Sequence, residues 1–186
     1  MRIRFTVSEL YVMSALLDAE IPGPLEQEGF ELDDSTWEEG VRSLVARCLL
    51  SPQLDGRFVL NAEDTAVVGR ALAAQGALSM FVESAGNAPV GTVAMVGADS
   101  SVIAINPVVE GVYEFVETSL EESSAVAVRL AQELGPVAIG YSGDLETGEG
   151  TVRVKLVAHD EDFSLGERNV RAEEVAAQLT EMFQSS

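Results

Sequence analysis

The sequence predicts an α+β fold. An N-terminal helical module with a hairpin, winged-helix-like in outline, precedes a mostly antiparallel sheet with helices on one face. Three observations carry this. Capping boxes and apolar stripes with a period of about 3.6 dominate residues 1–76. From Ala77 the period changes to 2, in short runs bounded by Gly, Asn and Pro. Two later passages, Val112–Leu134 and Thr151–Phe183, run strand, polar connection, helix, which returns helices to a sheet. The expected units are residues 1–76 and 77–186, although one continuous domain could also hold both.

In the first unit, Thr6-x-x-Glu9 is a capping box, and Phe5 and Leu10 can staple the entry of a helix over 7–19. Leu10, Met13 and Leu17 are its core stripe, and Ile21-Pro22-Gly23-Pro24 stops it. An acidic loop follows from Leu25 to Asp34. Ser35-x-x-Glu38 reads as the capping box of a central helix, with Trp37, Val41, Leu44, Val45 and Cys48 on one face. Leu49-Leu50-Ser51-Pro52 ends it, because proline disfavours helix at the residue before it. Asp55-Gly56, between Leu54 and Phe58-Val59-Leu60, signals a hairpin with a type I′ turn. Asn61 caps a third helix to about Gln75, with Asp64 in its first turn and Val67, Val68, Ala71 and Leu72 facing inward. Gly76 ends that helix.

The second unit begins with strands at Ala77–Glu83, Thr92–Val96, Val102–Ile105 and Val112–Thr118. Turns are expected at Gly86–Pro89 and Gly97–Ser100, and Asn106-Pro107 closes the third strand. Ser119-x-x-Glu122 opens a helix to Leu134 with Ala127, Leu130, Ala131 and Leu134 on one face. Strands at Val137–Tyr141 and Thr151–Ala158 are joined by a polar Gly-rich loop. His159–Arg168 reads as a second polar loop, and a helix from Ala172 to Phe183 ends the chain.

At 186 residues, 47% of them apolar, the chain can build its own core without disulfides or metals. No apolar run reaches the roughly 18 residues of a membrane span, and no leader pattern is present, so a cytoplasmic protein is expected. The lone cysteine, Cys48, falls on the apolar helix face and reads as a core residue. Net charge is −20, with no Lys or Arg between Arg4 and Arg42 or between Arg70 and Arg129. Such a chain repels phosphate, which counts against nucleic acid as a partner. The same charge keeps a protein dispersed and steers it toward neutral or basic protein surfaces.

No P-loop, dinucleotide fingerprint, C-x-x-C, H-E-x-x-H or G-x-S-x-G occurs. His159, the only histidine, reads as a solvated loop residue. Asp144–Glu149 lacks the spacing of a calcium loop. The expectation is a protein with no catalytic residues, no metal and no cofactor. The strand from Ala77 to Glu83 is the exception to bland patterning. Leu78, Met80 and Val82 alternate with Ser79, Phe81 and Glu83, so both faces carry apolar side chains. Leu78, Met80, Phe81 and Val82 are therefore the candidate partner-binding residues.

The N-terminal half resembles the ESX (type VII) secretion-associated chaperone family of actinobacteria. The resemblance rests on Phe5-Thr-Val-Ser-Glu-Leu-Tyr-Val-Met-Ser-Ala-Leu-Leu17, the turn Ile21-Pro22-Gly23-Pro24-Leu25 and Leu44-Val-Ala-Arg-Cys-Leu-Leu50. The Asp-Gly hairpin, an Ala/Leu-rich helix and the meander that a helix closes complete it, over residues 5–134. The chain departs from the family in being shorter and in carrying Cys48 where glycine is usual. The resemblance implies a non-enzymatic cytosolic protein that binds helical secreted partners through an exposed apolar patch and keeps them soluble. A homodimer is compatible with it. Two other readings stand beside it: a regulatory protein containing a winged helix, and a small-ligand-binding α+β domain.

Overall fold

The computed structural model describes residues 2–21, 33–83, 90–145, 151–159 and 162–184. Most of the acidic loop over Leu25–Asp34, the turn at Gly86–Pro89 and the end of the Gly-rich loop lie outside these residues. The chain is α+β and its strand pairings are antiparallel. It divides into two compact units, Met1–Ala73 with Pro107–Val116, and Ala74–Asn106 with Glu117–Ser186. The first unit thus includes residues 107–116, which the change of period at Ala77 does not reveal.

The first unit opens on a strand, β1 (Arg2–Thr6), where sequence patterning places none. Its helices are α1 (Val7–Leu17), α2 (Asp34–Ala46) and α3 (Ala62–Leu72), and its hairpin is β2 (Leu50–Pro52) with β3 (Phe58–Leu60). The capping box of α1 forms as expected. The Glu9 N–H donates to Thr6 Oγ1 at 3.2 Å, and Glu9 Oε2 accepts from the Thr6 N–H at 2.8 Å. The cap of α2 is a correction. Asp33, not Ser35, accepts from the Thr36 N–H at 2.8 Å, and it holds the Thr36 hydroxyl as well.

The end of α2 is a second correction. The helix closes at Ala46, and Leu50–Pro52 becomes a strand. The Cys48 N–H donates to the Val45 carbonyl, and the Leu49 N–H donates to that of Leu44. This is a Schellman motif with Cys48 at its left-handed position, φ +58°. Cys48 is therefore exposed, not in the core. A side chain in that conformation costs roughly 1–2 kcal/mol relative to glycine. On the stripe itself Leu44 is buried, whereas Trp37, Val41 and Val45 are half-buried. Gly40 gives α1 and α2 their close approach, because a Cβ there would lie 2.5 Å from the Ser8 carbonyl.

The hairpin is present, but its turn is not type I′. Of the two central residues only Gly56 has positive φ (+81°), and the Gly56 N–H donates to the Gln53 carbonyl. That is a type I turn followed by a left-handed glycine. Inward residues of α3 are as expected: Val67, Val68, Ala71 and Leu72 are buried. This helix stops at Leu72, and Gly76 instead starts the next strand.

The second unit is a sheet with helices on one face. Its strands are β4 (Gly76–Val82), β5 (Val90–Val96), β6 (Val102–Val109), β8 (Val137–Ser142), β9 (Val152–Ala158), β10 (Asp162–Leu165) and β11 (Arg168–Arg171). The intervening β7 (Val112–Thr118) pairs with β1, Arg2 opposite Val116 and Thr6 opposite Val112. Within the second unit the spatial order is β6-β5-β4-β8-β9-β10-β11. Strand β6 runs through Pro107, past the expected stop. A hairpin of β10 and β11 replaces the expected polar loop: Phe163, Leu165 and Val170 are buried, and Gly166 (φ +61°) turns the chain.

Helices α4 (Leu120–Leu134) and α5 (Ala172–Gln184) cover one sheet face. Ser119 caps α4 through the Glu122 N–H, but the Glu122 carboxylate accepts from the Thr118 hydroxyl and leaves the capping box half made. Small residues, Ser123, Ser124, Ala127 and Ala131, form the buried face of α4, which lets α5 approach closely. Leu134, placed on that face by periodicity, is exposed. From α5, Val175, Leu179 and Phe183 are buried against the sheet, each contributing roughly 1.5–3 kcal/mol.

Candidate functional site

Alternation along the central strands of the second unit decides which side chains meet solvent. Register aligns Leu78 with Tyr141, Met80 with Ile139 and Val82 with Val137, and all six are buried with the helices. The intervening residues form rows on the opposite face. Phe81, Ala138 and Lys155 make one row; Ser79, Gly140 and Arg153 make the next. No helix of this unit contributes to the core cluster from that side. The candidate binding residues therefore separate: Leu78, Met80 and Val82 lie beneath α4 and α5, and Phe81 stands on the open face at 37% exposure.

The open face holds a shallow depression of about 380 Å³ over β4, β8 and β9. Ser79, Ala138 and Gly140 form its floor, and Phe81 is one wall. Arg153 and Lys155, both exposed, form the other, and Lys155 is ion-paired with Glu83 at the rim. The Ser79 hydroxyl donates to the Gly140 carbonyl at 3.1 Å, so it is held flat on the sheet. Two glycines shape this surface. A Cβ at Gly140 would crowd Ser79 Oγ at 2.9 Å, and one at Gly91 would meet the Phe81 ring at 2.3 Å. Phe81 thus lies across the backbone opposite it, covering a residue with no side chain of its own.

Arg153 and Lys155 escape a search for motifs, because two bases in a strand carry no signature. Their signal is alternation. They interleave with Val152, Val154 and Leu156, and a strand so patterned turns its charges away from the core. Glycines inside strands give the matching hint for Gly91 and Gly140, since a strand glycine marks a close approach.

A second polar cluster adjoins the same face. His159 Nε2 and Ser164 Oγ are 2.8 Å apart, and Asn169 Oδ1 lies 3.4 Å from that hydroxyl. A hydroxyl on an imidazole is the first pair of an acyl-transfer site. The remaining parts are an orienting group on the second imidazole nitrogen and donors for an oxyanion, and no described side chain supplies the orienting group. Among the described residues no group of three or more His, Cys, Asp or Glu is arranged to hold a metal ion.

The first unit contains a buried carboxylate with a different purpose. Glu9 is fully buried and receives Arg47 Nη1 at 2.7 and 2.8 Å, Ser43 Oγ at 2.7 Å and the Thr6 N–H. Arg47 also donates to the Arg4 carbonyl and lies 5.1 Å over the Phe5 ring. Every lone pair finds a donor, so this network joins α1, α2 and β1 and offers no group for chemistry.

No described helix is long and apolar enough to cross a membrane. The chain matches no protein-family model and no curated protein.

Proposed function

We propose that this chain is a non-catalytic protein-binding module, of chaperone or adaptor type, and that it docks its partner on the open face of β4, β8 and β9. One observation carries the reading: two helices cover one face of the sheet, and on the other, over β4, β8 and β9, an aromatic, two cations and a floor of small residues line a depression, although that same face is buried over β5 and β6 at Val93, Met95, Ile103 and Ile105. Strand β4 is paired along both sides and β8 lies between β4 and β9, so neither offers a free edge there, whereas the β9–β10 ladder covers only Leu156–Ala158. The occupant that suits such a face is a helix, which would complete a third layer. The small floor lets a helix come close, and Phe81 supplies the apolar anchor.

The resemblance to type VII secretion chaperones points the same way, since helical secreted proteins are the partners it implies. A cytosolic setting follows from that reading, and there an exposed thiol such as Cys48 stays reduced. In the first unit, α1, α2, the hairpin and α3 follow one another along the chain, and we take this succession as a winged-helix-like outline. We read that outline as serving protein contact. The exposed side of α2 carries Glu38 and Glu39, and its Arg42 is already 3.9 Å from Glu38, so little charge is left for phosphate.

Affinity purification of the tagged chain from its host, in parallel with Phe81→Asp, tests the proposal. The wild type is expected to retain a stoichiometric helical protein that Phe81→Asp loses and that Leu54→Asp, at the exposed hairpin tip, retains. Equal recovery by wild type and Phe81→Asp would remove the open face from the account.

A further inference from the structure

We infer that the open face selects its ligand by charge: Arg153 and Lys155 receive a pair of carboxylates one turn apart on an amphipathic helix. This rests on the protein-binding reading above and names the chemistry of the partner. The starting observation is positive charge concentrated where composition makes it scarce. Eleven basic residues face thirty-one acidic ones in the whole chain. Two of the eleven stand two residues apart on the same face of β9, beside the depression. Arg171 lies on that face as well, opposite Asp162 in the β10–β11 ladder.

The two walls differ in what they already hold. Among the described residues Arg153 has no ion-pair partner, whereas Lys155 is paired with Glu83. That pair is half-exposed, at 51% and 47%, so water screens it and it yields readily to a competing carboxylate. A planar guanidinium with all its donors available is the stronger carboxylate receptor.

Spacing supports a helical ligand. Alternate residues of a strand are about 6.6 Å apart. Positions i and i+4 of a helix are about 6 Å apart along the axis. Two carboxylates one turn apart, on a helix laid along β9, therefore reach Arg153 and Lys155 together. The side chain between them falls over Ser79, Ala138 and Gly140, where there is room for a leucine or methionine against Phe81. A basic helix would find one carboxylate here, Glu83, and two opposing cations. The net charge of −20 disfavours an acidic ligand at long range. At physiological salt that field fades within about 8 Å, so the contacting pairs decide.

The test uses the full chain and two helical peptides of equal length with one leucine stripe. One carries Glu at i and i+4 beside the stripe; the other carries Lys there. Binding is followed by fluorescence anisotropy at about 0.15 M salt. The Glu peptide is expected to bind at least about tenfold more tightly. Arg153→Glu is expected to abolish that preference and to improve binding of the Lys peptide, a gain that damage to the fold cannot produce. Equal affinities, or a Glu preference that survives both Arg153→Glu and Lys155→Glu, would overturn the inference. If charge has no effect but Phe81→Asp abolishes binding of both peptides, charge selection fails and the docking surface stands. If neither peptide binds, or Phe81→Asp and Arg153→Glu change nothing, both fail.

Discussion

The two faces of the second unit's sheet are built from the same strands, and they spend their side chains differently. On the covered face, Leu78, Met80 and Val82 of β4 and Val137, Ile139 and Tyr141 of β8 are large apolar groups buried in the core beneath α4 and α5. On the opposite face, where β4, β8 and β9 line the depression, the alternate positions are Ser79, Phe81, Ala138, Gly140, Arg153 and Lys155. The first set supplies stability; the second contributes little to it and is free to meet a partner. A side chain's identity along a strand is thus set by the face it occupies, and the neighbour in sequence has no say.

The largest effect expected from this contrast is in stability. Phe183→Ala, which removes the ring stacked 5.0 Å from Tyr141, should cost about 3–5 kcal/mol. Phe81→Ala on the open face should cost under about 1 kcal/mol, in the range of surface substitutions. Urea unfolding of the two variants measures both, and similar losses would mean that the open face is part of the core.

Next in size is Gly91→Ala. Its Cβ would lie 2.2 Å from the Met80 carbonyl and displace the Phe81 ring. The strain should cost about 1–3 kcal/mol, with a shift of the Phe81 ring resonances. Unchanged resonances would show that Phe81 does not lie over this glycine.

On the covered side Ser123 Oγ is buried without a hydrogen-bond partner. Ser123→Ala should therefore stabilise the protein by about 1 kcal/mol, visible as a raised urea midpoint at constant slope. A loss of stability would indicate that a water satisfies this hydroxyl.

The smallest effect concerns Tyr141, whose burial raises its phenol above the ordinary value of 10.0. The folded state thus keeps a proton that the unfolded state releases above pH 10. Stability from this group is complete below pH 10 and declines as pH rises through the folded value. Tyr141→Phe should flatten that alkaline decline, measured as unfolding free energy against pH; an unchanged slope would assign the decline to other groups.

Much of this was legible in the chain because it depends on neighbours in sequence. The Thr6–Glu9 box, the β7 strand, the α5 stripe and the alternation of Leu78, Met80 and Val82 follow from spacing alone. Local spacing misleads where two signals compete. At α2, Asp33 and Ser35 are both good caps, and Asp33 wins by engaging two groups of Thr36. At Cys48, helical spacing predicted a buried thiol, but the chain had already turned into a left-handed conformation. The β10–β11 hairpin hid in a stretch whose polarity masked Phe163, Leu165 and Val170.

By itself the sequence determined the α+β class, the caps Thr6 of α1 and Ser119 of α4, and which residues of each strand share a face. Only the tertiary structure decided which face α4 and α5 cover, that residues 107–116 belong with the first unit, and that Gly91 clears space for Phe81 and Gly140 for Ser79. The reason is the range of the forces involved. Caps and periodicity act over three or four residues, whereas burial and close approach depend on pairings whose partners lie tens of residues away.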